Sequence, residues 1–90
     1  MIIIDVTKIK TSEELQNTLK EKLNFPEFYG MNWDAFWDTI TGLIELPENI
    51  KIIGWEYMSK NLPNDAEIMK QLLNEYNCYC PHNKCNIYYF

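Results

Sequence analysis

Apolar residues recur along this chain at two spacings, and the spacing changes mark its elements. Ile2, Ile4 and Val6 alternate with Ile3 and Asp5, the period of two expected of a strand over 2–6. Residues 8–10 connect it to Thr11-x-x-Glu14, a capping-box signature in which the Thr hydroxyl and the Glu carboxylate satisfy each other's backbone N–H. Leu15, Leu19 and Leu23 then place one leucine per turn on a single side, while Glu13, Lys20 and Glu21 face water. Pro26 ends this helix, and 24–30 form a loop in which Gly30 eases entry to the next element. Trp33, Phe36, Trp37 and Ile40 follow at i, i+3, i+4, i+7, the apolar stripe of a helix over 32–41. These aromatics are expected to pack inward. Asn32 is placed to cap that helix, and Gly42 to stop it by taking a left-handed conformation.

The second half repeats the alternation. Residues 43–49, with Pro47, return the chain to a strand at 50–53, Ile50 and Ile52 inward and Lys51 outward. A short helix is expected over 55–60. Asn64, with Glu67 three residues on, predicts the cap of a further helix whose apolar face is Met69, Leu72, Leu73 and Tyr76. Residues 77–84 read as a loop and 85–90 as a last strand. Strands separated by helices require crossovers, so the fold class is α/β: a small three-stranded parallel sheet packed with three to four helices. Ile2, Ile4, Val6, Ile50, Ile52, Ile87 and Tyr89 make one sheet face apolar. Ile3, Asp5, Lys51, Ile53, Asn86 and Tyr88 make the other mixed, which predicts two layers. Ninety residues suit one domain over 1–90, with a single core.

Composition adds to this picture mainly through charge. An apolar fraction of 47% with 14% aromatic fits a packed globule. The net charge is −5, with no arginine. Residues 23–50 hold Glu27, Asp34, Asp38, Glu45 and Glu48 but no lysine, whereas acids and lysines balance elsewhere. The entire excess therefore surrounds the second helix. Without a basic patch, nucleic acid is excluded as a direct ligand, and a basic partner is the natural complement. No apolar run reaches the ~18 residues of a membrane span. The opening strand-like run lacks the basic leader of a signal peptide, and an odd count of three cysteines fits reduced thiols in a cytoplasm.

Within the acidic stretch, Asp34, Asp38 and Thr41 fall at i, i+4, i+7, a second and anionic stripe. Two aspartates so spaced repel, and the helix gains nothing from the pair. The segment Tyr29-Gly30-x-Asn32-x-Asp34-Ala35-x-Trp37-Asp38-x-x-Thr41-Gly42 closely resembles the signature of the barstar family, intracellular inhibitors of barnase-type ribonucleases. The order of elements along nearly the whole chain agrees with that resemblance. It implies a three-stranded parallel sheet with helices, no catalysis, no cofactor, and a 1:1 complex of a free monomer with a basic ribonuclease. It implies that Asp38 enters the enzyme's catalytic pocket in place of substrate phosphate, pairing with arginines and a histidine. Asp34, Thr41, the backbone of Gly42, and loop residues Phe28, Tyr29, Gly30 and Asn32 would form the surrounding surface, and Glu75 matches a further carboxylate of the family's interface. Phe28 and Tyr29 are expected to be part-exposed. The chain departs from the family at Leu43, where a tryptophan is usual, at Phe28, where a tyrosine is, and at Trp33, where a leucine is. Leu43 and Phe28 lie at the implied interface.

Two other chemistries and one other use of the helix compete. Cys78-x-Cys80-x-His82-x-x-Cys85 offers four zinc-type donors. They are compressed into eight residues in no usual finger spacing, so no metal is expected. One histidine, no G-x-S-x-G and no glycine-rich phosphate loop leave nucleophilic catalysis without support. Asp34 and Asp38 as an acid–base pair would stand on a convex helix, where burial cannot tune them. The remaining alternative is an immunity or interaction protein that turns the same helix on a basic target other than a ribonuclease.

Overall fold

A computed structural model describes residues 1–90. The elements run β1 (Ile2–Asp5), α1 (Ser12–Lys22), α2 (Trp33–Gly42), β2 (Asn49–Ile53), α3 (Trp55–Asn61), α4 (Pro63–Tyr79) and β3 (Asn86–Tyr89). The strands form one parallel sheet in the order β1-β2-β3. In register, Ile2, Ile50 and Ile87 make one row, and Ile4, Ile52 and Tyr89 the next. These rows face the helices. Ile4, Ile50 and Ile52 are buried there with Leu15, Leu19, Phe36, Ile40, Met58, Met69, Leu73 and Tyr76 in one core. The other face, with Ile3, Asp5, Asn86 and Tyr88, is exposed, so the α/β fold has the two layers expected from the alternation.

Several boundaries differ from the sequence reading, each for a local reason. α4 begins at Pro63, not after an Asn64 cap; its N-cap is Leu62, without a side-chain bond. Proline suits the first helical position because its fixed φ is already helical and its missing N–H would go unpaired there. The same helix continues past residue 77 to Tyr79, so the expected loop starts only at Cys80. Asn77 acts from inside the helix, with its side chain accepting from Cys85 N at 2.7 Å and donating to Cys85 O at 2.8 Å. That clamp ties the end of α4 to the start of β3. Gly42 is not a left-handed stop; it is the last helical residue, and Leu43 caps α2 in a right-handed conformation. At the other end of α2 the left-handed residue is Met31 (φ 57°), not Gly30. Gly30 instead sits close against α2: a Cβ there would lie 3.1 Å from that of Ala35, which would have to give by a few tenths of an ångström. Gly54 does need its freedom: at φ 81° it turns β2 into α3, and a Cβ would meet Thr7.

Candidate functional site

The approach to α2 is held from beneath. Phe25, Tyr29 and Phe36 stack together, with ring centroids 4.7 Å (Phe25–Tyr29) and 5.9 Å (Phe25–Phe36) apart. Tyr29 is only 5% exposed. Its hydroxyl bonds the buried Gln16 side chain of α1, and burial raises its pKa above the ordinary tyrosine range. The expected part-exposure of Tyr29 is thereby corrected: a phenol can be buried when its O–H finds a partner, and Gln16 supplies one. Tyr29 pins the loop to the core. Phe28, its neighbour, points outward and is 75% exposed.

Asn32 caps α2, its Oδ1 accepting from Ala35 N at 2.7 Å while its Nδ2 donates to Gly30 O at 3.1 Å. One asparagine thus starts the helix and fixes the loop before it. Asp34 and Asp38 project from the helix, exposed and one turn apart. Thr41 is half-buried and donates its hydroxyl to Trp37 O at 2.6 Å, so its side chain serves the helix. Gly42 and Leu43 end the face in solvent, Leu43 being 55% exposed.

The inward packing expected of the aromatic stripe holds for Phe36 and only in part for the two indoles. Trp33 and Trp37 are half-buried and form a wall facing α4. A groove of about 620 Å³ opens there, lined by Trp33, Asp34, Trp37, Asp38, Ile68, Leu72 and Glu75. The structure thus brings Glu75 of α4 to the same groove as Asp34 and Asp38 of α2. No lysine lines it, and the protein's ion pair, Lys60 with Glu56, lies elsewhere on exposed α3. Glu75 accepts a bond from Gln71 at 3.2 Å. The result is three acidic side chains around an indole floor, without an internal counter-ion.

Asp65 was not singled out from sequence, yet it positions this wall. It accepts the Trp33 indole N–H at 2.8 Å and the Ser12 hydroxyl, joining α4 to α2 and α1. A half-buried indole needs such an acceptor. The groove's α4 side had a legible signal: Ile68, Leu72, Glu75 and Tyr79 fall at i, i+4, i+7, i+11, a face apart from the core face of Ala66, Met69, Leu73 and Tyr76.

The other acidic depression is occupied by the fold's own needs. Asp5, Lys8, Glu14 and Glu21 help line a cavity of about 500 Å³ between β1 and α1. Asp5 accepts from Thr7, which holds its carboxyl below the usual range, and Glu14 closes the capping box with Thr11. The cysteine cluster does not assemble into a group of metal donors. Cys78 is exposed, Cys80 half-buried and Cys85 buried, with His82 out in solvent. Burial pushes the Cys85 thiol up to about 11. No helix is long and apolar enough to cross a membrane.

Comparison with known proteins assigns the chain to a family. The chain is 36% identical over 74 residues, 82% of its own length and 81% of the relative's, to a Bacillus subtilis (strain 168) protein named "Putative ribonuclease inhibitor YrdF". A family model described as "Barstar (barnase inhibitor)" matches residues 1–90, and the chain belongs to the barstar family.

Proposed function

We propose that this protein is an intracellular, non-enzymatic inhibitor of a basic, barnase-type ribonuclease, acting as one domain and as a free monomer that forms a 1:1 complex. Asp38 enters the enzyme's active site as a stand-in for phosphate. Asp34 and Glu75 flank it, and Phe28, the backbone of Gly30 and Gly42, Asn32, Thr41 and Leu43 surround it. Inhibition is steric and electrostatic: carboxylates on a capped helix meet the cations that the enzyme holds ready for RNA. The observation that carries this reading is the meeting of Asp34, Asp38 and Glu75 on one groove with no lysine among its lining residues. An acid that served only the fold would be used as Asp5 and Glu14 are, within a turn or cap. The family's description as a barnase inhibitor supports this target class, and the relative's name points the same way.

Two features make the partner specific to this chain. Phe28 lacks the phenolic hydroxyl usual in the family, and Leu43 replaces a large indole. Both bear on which ribonuclease is cognate. The direct experiment immobilises the protein, recovers what it retains from a lysate of its source cell, and assays the eluate for ribonuclease. Co-expression with the recovered enzyme should then rescue growth, and association should slow steeply with added salt. Retention of a basic protein without ribonuclease activity would instead support an immunity or interaction protein that uses the same helix.

A further inference from the structure

The seam between α2 and α4 does not end at the acidic groove. It continues into a recess of about 470 Å³ lined by Trp37, Asn74, Glu75, Cys78 and Tyr79. Trp37 and Glu75 line both spaces, so the two are neighbours along the seam. Tyr79 closes the recess, its ring edge-on to Trp37 with centroids 5.7 Å apart. It is the last residue of α4 and 66% exposed, so it contributes little to the core. Its neighbour Cys78 is also exposed. An open, mostly apolar aromatic recess beside an acid has the composition of an interface anchor site.

We propose that this recess belongs to the same docking face and takes an apolar or aromatic side chain that the basic ribonuclease presents next to a cation facing Glu75. The inference rests on the inhibitor reading above. Charge selects this occupant over a second copy of the chain, because a second copy would bring acidic faces together, Glu75 among them. The recess also divides the labour of binding. Asp34, Asp38 and Glu75 attract the partner and govern the encounter, while the aromatic wall of Trp37 and Tyr79, desolvated only after contact, governs how long the complex lasts. It supplies aromatic contact on a face where Leu43 stands in place of the family's tryptophan.

The test uses the ribonuclease retained by the immobilised wild-type chain, purified and followed by stopped-flow association and by dissociation chase. Tyr79→Ala should speed dissociation about tenfold or more, leaving the association rate and its salt dependence unchanged. Tyr79→Phe should behave as wild type, since the wall is the ring and not the hydroxyl. Cys78→Phe fills the recess without changing any charge and should also speed dissociation. Melting curves of the free variants establish that each is folded. If Tyr79→Ala and Cys78→Phe dissociate at the wild-type rate while Asp38→Ala loses binding, the recess is not part of the face, and the inhibitor reading survives alone. If Asp38→Ala also dissociates like wild type, the inhibitor reading falls and this inference with it. A wild-type dimer in sedimentation that Tyr79→Ala abolishes would give the recess to a second copy and overturn the proposal.

Discussion

α1 and α2 are close to twins in backbone, and both are net acidic, but they arrange their charge differently. They are 11 and 10 residues long, and each opens with a side chain accepting from the backbone N–H three residues on, Thr11 from Glu14 and Asn32 from Ala35. α1 then follows the helix dipole, with Glu13 and Glu14 in its first turn and Lys20 and Lys22 in its last. α2 has Asp34 in its first turn, Asp38 one turn later and no base in its last. Both bury one side, α1 through Leu15, Gln16 and Leu19 and α2 through Phe36, Thr39 and Ile40. The difference therefore lies almost wholly on the solvent side. There α1 balances its acids with lysines, Glu21 lying between Lys20 and Lys22, whereas α2 holds in Asp38 a charge that its own folding does not reward. Charge kept against local stability marks the side of the molecule where selection acts through something other than the fold.

The largest effect should come from removing that charge in the presence of the partner. Asp38→Ala should weaken binding to the ribonuclease by well over ~2 kcal/mol, an expectation inherited from the family's inhibitory aspartate rather than from the geometry. Titration of the purified enzyme with the variant checks it. Glu13→Ala on α1, also exposed, should leave affinity within about a factor of two, because it lies outside the groove. An equal loss at both positions would reduce the contrast between the helices to bulk charge.

The caps should break evenly. Thr11→Ala and Asn32→Ala should each destabilise the free protein by about 1 kcal/mol in urea melts. The loss at Asn32 includes its bond to Gly30 O, and so loosens the entry loop as well. A much smaller cost at Asn32 would mean that α2 is held by its aromatic face alone, and the helices would no longer be comparable. Gly42→Ala should be mildly stabilising, by up to about 0.5–1 kcal/mol, since Gly42 is helical and a Cβ there would meet nothing within 4 Å.

Elements whose signal is local are legible in the sequence. The capping box at Thr11, the Asn32 cap and the alternation in β1 and β2 all appear where the residue pattern places them. The two-layer sheet follows from that alternation, because a parallel strand with one polar face leaves only one side for helices. Less legible was anything decided by which of two rules wins. Proline pre-empted asparagine at the start of α4. At Gly42 the helix ran one residue further than glycine would force, and the left-handed residue before α2 proved to be Met31. Tyr29 and Phe28 are adjacent aromatics with opposite fates, and Gln16, thirteen residues earlier, decides between them. The candidate site divides in the same way. Asp34 and Asp38 were visible as a stripe, but their meeting with Glu75, the anchoring of Trp33 by Asp65 and the recess under Tyr79 depend on how α4 lies beside α2. No spacing within either helix contains that.

On the inhibitor reading, Asp38 is kept for binding at the expense of the free protein. It stands one turn beyond the favourable end of the dipole and at i+4 from Asp34. Its residue type is also a poorer helix former than alanine. The deciding measurement is the urea or thermal melt of isolated Asp38→Ala against wild type, with Asp34→Ala beside it. Asp38→Ala should be more stable than wild type by about 0.5–1 kcal/mol, while Asp34→Ala should gain little, because the dipole offsets the relief of repulsion there. If Asp38→Ala melts below wild type, Asp38 holds the fold together, and its reading as a charge retained for a partner is wrong.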